Sequence, residues 1–179
     1  MYTYVGGKLR RYDPSAGTIL DTIAVSTTTT STTSKSTVPV FGADGTAYLL
    51  STPLLYAFDP LTKRLLWQGG SNVSGVPALA EGVLLVIDEG ELTARDPQTG
   101  DLLWTAHDTA ELTYGPVAAH GFAYVASAQK TYAVDLKNGA VVWQADGGGW
   151  LSIGSGRLLV AENNGILRSY LLTQPAAEP

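Results

Sequence analysis

The chain has 179 residues, and its Gly 20 and Pro 9 are spread along it rather than gathered in linkers. Turn formers at that density break helix interiors, while 45% hydrophobic and 15% charged residues exclude wholesale disorder. A net charge of −5 without any block of like charge leaves no footprint for nucleic acid, zero Cys excludes disulfides and thiolate metal sites, and no apolar run reaches the roughly 18 residues of a membrane span.

In chain order, the first unit (1–25) supplies three short strands, beginning at Thr3, Leu9 and Ile19. Its first five residues have neither the basic region nor the apolar stretch of a signal peptide, which fits a cytoplasmic chain or a trimmed exported one. Residues 26–37 are Ser or Thr at every position except Lys35. Their composition reads as a solvated insertion or an extended outer strand, with a partner-facing or glycosylated loop as the functional alternative. The second unit covers 37–70 and contains the apolar run 47–50. The third, 74–108, resolves into strands at 76–80, 83–87, 91–95 and 102–105. Its second strand, Val83-Leu84-Leu85-Val86-Ile87, is apolar throughout, so both of its faces are expected to be covered. A fourth unit (113–147), a partial fifth (149–173) and a polar tail (174–179) complete the chain.

The units are copies of one another. Ala94-x-Asp96-x-x-x-Gly100-x-x-x-Trp104 matches Ala133-x-Asp135-x-x-x-Gly139-x-x-x-Trp143 position by position. Ala57, Asp59 and Trp67 repeat the pattern with Lys63 in the Gly place, and Arg11-x-Asp13-x-x-x-Gly17 ends on Asp21 where Trp is expected. Asp59, Asp96 and Asp135 are spaced 37 and 39 residues apart, as are Trp67, Trp104 and Trp143. Asp opens a type I turn by accepting backbone N–H bonds, and Gly takes the left-handed conformation from which the next strand starts. Lys63 in that conformation should cost up to about 1 kcal/mol relative to Gly.

Four-stranded units at this period predict an all-β fold, a β-propeller of antiparallel blades. About 4.5 blades fit within residues 1–173, since the first unit lacks an inner strand and the fifth an outer one. The expectation is an arc, the C-terminal part of a seven- or eight-bladed ring, with missing blades or self-association covering its open edges. The repeat resembles the quinoprotein (PQQ-like) family and its tryptophan-docking motif. That family includes pyrroloquinoline-quinone dehydrogenases, the non-catalytic propeller lipoprotein of the outer-membrane barrel-assembly machinery, and sensor domains of bacterial kinases. By this resemblance Trp67, Trp104 and Trp143 wedge between blades and bond their indole N–H to backbone, and the location is periplasmic or extracellular. Asp59, Asp96, Asp135, Gly100 and Gly139 belong to the same repeated scaffold.

Function is then sought in what does not repeat. Asp88, Glu89 and Glu91 cluster around Gly90 at a hairpin tip and lack the ligand spacing of a calcium loop, so they read as a polar turn, with a surface contact for a partner as the functional alternative. Trp150 falls outside the docking offset and aligns with Val76 at the start of an inner strand. Core packing is its plain reading, and an aromatic contact for a partner the functional one. His107 and His120 stand singly, with no second ligand at metal spacing. No catalytic constellation emerges, and quinone or calcium enters only through the resemblance. The expected function is a non-catalytic scaffold that binds protein partners in cell-envelope assembly; the alternatives are a ligand-sensing domain of a larger receptor or kinase, or a fragment of a quinoprotein dehydrogenase.

Overall fold

The computed structural model describes residues 1–25, 38–51 and 53–172; the Ser/Thr-rich run and the polar tail lie outside the described residues. Within them every regular element is a strand. The first sheet holds β1 (Tyr2–Val5), β2 (Lys8–Tyr12) and β3 (Ile19–Ala24). The second holds β4 (Val40–Phe41), β5 (Ala47–Ser51), β6 (Leu54–Asp59) and β7 (Arg64–Gly69). The third comprises β8 (Val73–Ala80), β9 (Val83–Asp88), β10 (Glu91–Arg95) and β11 (Leu102–Ala106). The fourth comprises β12 (Leu112–Ala119), β13 (Phe122–Ser127), β14 (Lys130–Asp135) and β15 (Val141–Asp146). The fifth consists of β16 (Gly149–Gly154), β17 (Arg157–Glu162) and β18 (Leu167–Leu171). Each sheet is an antiparallel meander in sequence order.

The continuous apolar strands explain how the sheets stack. Along β5, Ala47 and Leu49 pack against Tyr4, Leu9 and Ile23 of the first sheet, whereas Tyr48 and Leu50 pack against Val73, Leu84 and Val86 of the third. Along β9 the parity continues: Leu84 and Val86 face backwards, and Leu85 and Ile87 meet Ala123, Val125 and Val134 of the fourth sheet. Tyr124 and Ala133 then join Leu158 and Val160 of the fifth. Alternate side chains leave opposite faces of a strand, so a central strand in a blade with a neighbour on both sides is apolar on both faces. Burial of each such Leu or Ile contributes about 1.5–3 kcal/mol.

Inner strands β4, β8, β12 and β16 neighbour one another along the arc. β8 and β12 approach backbone to backbone at Gly115, where an added Cβ would lie 2.9 Å from the Val76 carbonyl oxygen. β8 starts at Val73, three residues before the predicted strand, because a register shift between Ser74 and Ala78 absorbs the extra residues as a bulge. Among the described residues β1 and β18 are edge strands of their sheets with one strand neighbour each, β1 on the inner side and β18 on the outer, and the five sheets form an open arc.

Candidate functional site

The seams between blades account for most of the repeated residues. A register shift in the ladder between third and outer strands sets Ala57, Ala94 and Ala133 opposite Trp67, Trp104 and Trp143. The small methyl group leaves room for the indole beside it. Trp67 Nε1 donates to the Pro97 carbonyl at 3.0 Å, and Trp104 Nε1 to the Leu136 carbonyl at 2.9 Å. Each acceptor is the residue after the turn aspartate of the following blade. Those turns are held from within: Asp96 accepts from the Gln98 and Thr99 amides, and Asp135 from the Lys137 amide. Asp59 accepts from the Thr62 hydroxyl and from the Leu61 and Thr62 amides, bonds that hold its carboxyl below the usual carboxylate range.

Gly100 and Gly139 lie directly under the rings. A Cβ on either would stand 2.7 Å from Cε3 of Trp67 or Trp104, and their φ angles are 81° and 74°. Glycine is required twice over, by the left-handed turn and by the space the indole takes. Tyr48 adds a second donor to the Pro97 carbonyl at 3.0 Å, and burial pushes its hydroxyl up to about 12.

The first seam is built differently. Arg11 stands in the alanine place, opposite Asp21 in the tryptophan place. Lys63, in the glycine place with φ 60°, reaches across to Asp21 at 3.0 Å. One charged trio has replaced Ala, Trp and Gly together, and the absent indole leaves a cleft of about 130 Å³ lined by Tyr2, Ile23, Pro60 and these three residues. The Lys63 hydrogen bond, with Arg11 nearby, holds the Asp21 carboxyl below its ordinary range.

Trp143 departs from the docking the resemblance implies. It has the alanine neighbour but, among the described residues, no carbonyl partner for its indole N–H; its ring meets Tyr170 edge-on at 5.0 Å and stays 36% exposed. Trp67 and Trp104 are the two docked rings.

The residues that do not repeat divide into two groups. Asp88 is a structural ion rather than a surface contact. It is buried, pairs with Arg95 at 3.0 Å and accepts from the Ser71 and Asn72 amides, fastening the crossing from the second blade into the third. Glu89 and Glu91 are exposed, and Glu91 lies 3.4 Å from the His107 ring. His120 occupies an exposed hairpin position at φ 54°. Glu111 leans over Gly90, whose carbonyl accepts from the Leu112 amide at 2.7 Å.

Trp150 overturns the core reading. β16 has no bulge, so Trp150 pairs with Ala161 in the register position that Tyr114 and Ser74 hold in the blades before it. There it is 68% exposed, with the buried Tyr114 ring supporting it edge-on at 5.3 Å. The Tyr114 hydroxyl in turn accepts from Asn163 Nδ2 at 2.6 Å. The acidic hairpin, Glu111, Tyr114, Trp150 and Asn163 thus follow one another across three blades. Tyr114, Asn163, Glu111 and Arg95 carry no repeat signature, so only the register brings them into view.

A family model described as outer membrane protein assembly factor BamB matches residues 5–146. The chain belongs to this family. No curated protein matches it in sequence. Among solved structures, BamB from Moraxella catarrhalis is similar over 96% of this chain and 55% of its own, with TM-score 0.71 and 19% identity. The computationally designed Ika4 protein is similar over 80% of this chain and 95% of its own, with TM-score 0.66 and 14% identity. A quinohemoprotein alcohol dehydrogenase from Comamonas testosteroni is similar over 63% of this chain and 21% of its own, with TM-score 0.54 and 22% identity. This BamB-like chain spans about half the length of the Moraxella protein. The PQQ-like propeller class expected from the repeats is the class observed.

The quinoprotein neighbours raise the matter of a quinone–calcium site. Among the described residues no three His, Cys, Asp or Glu side chains lie together to ligate an ion. Asp88, the buried carboxylate of the acidic hairpin, already balances Arg95 and two amides. These donors do not fit that group.

Proposed function

We propose that this chain is a non-catalytic scaffold arc, part of a seven- or eight-bladed ring, that binds a protein partner during cell-envelope assembly. The observation carrying the reading is Trp150, 68% exposed on an inner strand and braced by Tyr114. A large aromatic ring held rigid at a surface loses little entropy on binding, which is why Trp is enriched at interaction hot spots. The exposed carboxylates Glu89, Glu91 and Glu111 along the same band favour a partner that pairs basic with apolar side chains. Membership of the BamB-like family supports the assembly role.

A photo-reactive amino acid placed at position 150, and separately at Glu81 in a different hairpin, tests the proposal in envelope extracts. One discrete cross-linked protein at 150 and none at 81 is expected; equal labelling refutes it. Similarity to the dehydrogenase favours a second reading, catalysis with quinone. Dye reduction after adding pyrroloquinoline quinone and Ca²⁺ separates the two, and turnover would overturn the scaffold reading.

A further inference from the structure

The first seam keeps the acceptor of the docking motif and lacks its donor. Pro60 follows the turn aspartate Asp59 as Pro97 follows Asp96 and Leu136 follows Asp135. The Pro97 and Leu136 carbonyls take the indole N–H of Trp67 and Trp104. Asp21 stands in the tryptophan place, and the Pro60 carbonyl receives no hydrogen bond among the described residues. The cleft of about 130 Å³ that Pro60 lines is the space left without an indole.

Its charge is as uneven as its hydrogen bonding. Lys63 Nζ meets both Asp21 oxygens, at 3.0 and 3.2 Å, so one carboxylate is matched by one cation. Arg11 also lines the cleft, and its guanidinium makes no hydrogen bond or ion pair among the described residues. One positive charge is left over. Ile23 and Pro60 supply apolar walls, and Tyr2 is braced by the Phe41 ring at 5.0 Å. An apolar cavity of about 150 Å³ holds one benzene, so with Asp21 filling part of the indole's place the cleft takes one six-membered ring.

We infer that this cleft binds a small aromatic acid carrying a ring hydroxyl. The ring lies against Tyr2 and Ile23, the hydroxyl donates to the Pro60 carbonyl, and the carboxylate pairs with Arg11. A planar carboxylate matches the guanidinium fork through two parallel hydrogen bonds. The cleft lies between the first two blades and Trp150 on the fifth, so the site stands whether or not the Trp150 band binds a partner.

The test titrates 4-hydroxybenzoate into the full chain and follows the backbone amides by nuclear magnetic resonance. Saturable binding with a dissociation constant of about 1 mM or below, and shifts centred on Tyr2 and Lys63, is expected. Benzoate lacks the donor and 4-hydroxybenzamide lacks the charge; each should bind about tenfold more weakly. Arg11→Ala should weaken 4-hydroxybenzoate to a similar degree, and Asp21→Trp, which refills the slot, should abolish its binding. Lys137→Ala, an exposed turn position of the fourth blade, should leave it unchanged. Thermal unfolding confirms that the variants are folded; Arg11 is exposed, so its truncation spares the core and decides the matter even if Asp21→Trp does not fold. No saturation by about 10 mM, or binding indifferent to Arg11→Ala or to loss of the ring hydroxyl, overturns the inference. Undiminished binding to a folded Asp21→Trp overturns it as well.

Discussion

If the indole is a wedge resting on the next blade's turn, the costs of Trp104→Ala and Gly139→Ala must not add. Truncating the half-buried Trp104 removes its apolar contact and strands the Leu136 carbonyl, a loss of about 3 kcal/mol. Gly139→Ala costs about 1–2 kcal/mol for a Cβ at φ 74°, and a similar amount for its 2.7 Å approach to Cε3 of Trp104. With the ring gone only the backbone part persists. The double variant should therefore be more stable than the sum predicts by about 1–2 kcal/mol. Gly121 is the control, since its φ is 80° but an added Cβ meets nothing within 4 Å. Gly121→Ala should cost about 1–2 kcal/mol, additively with Trp104→Ala to within about 0.5 kcal/mol. Urea unfolding of the six proteins measures every term. Equal additivity for Gly139 and Gly121 would refute the wedge.

Two further perturbations probe the charged contacts. Arg95→Met leaves the buried Asp88 carboxylate with only backbone donors, and should destabilise the chain by about 3 kcal/mol in urea unfolding. In the first seam the folded Asp21 carboxyl titrates below its unfolded value, so its contribution is complete above the ordinary carboxylate range and is lost as pH falls through the lowered value. Asp21→Asn should lower the melting temperature at neutral pH and low salt, with the gap from wild type closing in acid; a gap independent of pH would contradict the ion pair.

The fold was legible in the sequence because each blade repeats one solution to one local problem. Asp59, Asp96 and Asp135 open the same turn, and the spacing from Asp to Trp is set by the length of the hairpin that joins them. The apolar run of β9 announced two covered faces without naming the neighbours. The Lys63 and Asp21 departures were visible one at a time, but nothing local told that they meet, since 42 residues separate them.

Burial and partnership belong to the tertiary structure, because they depend on which strands arrive from a distance and in what register. Asp88 and Glu89 are adjacent carboxylates, yet the first is buried against Arg95 and the Ser71 and Asn72 amides and the second stays in solvent. Trp143 matches Trp104 in every motif position and differs only because the turn that would cover it is absent among the described residues. Trp150 shares the register of the buried Tyr114, which it covers, and is exposed because among the described residues no further blade lies over it in turn.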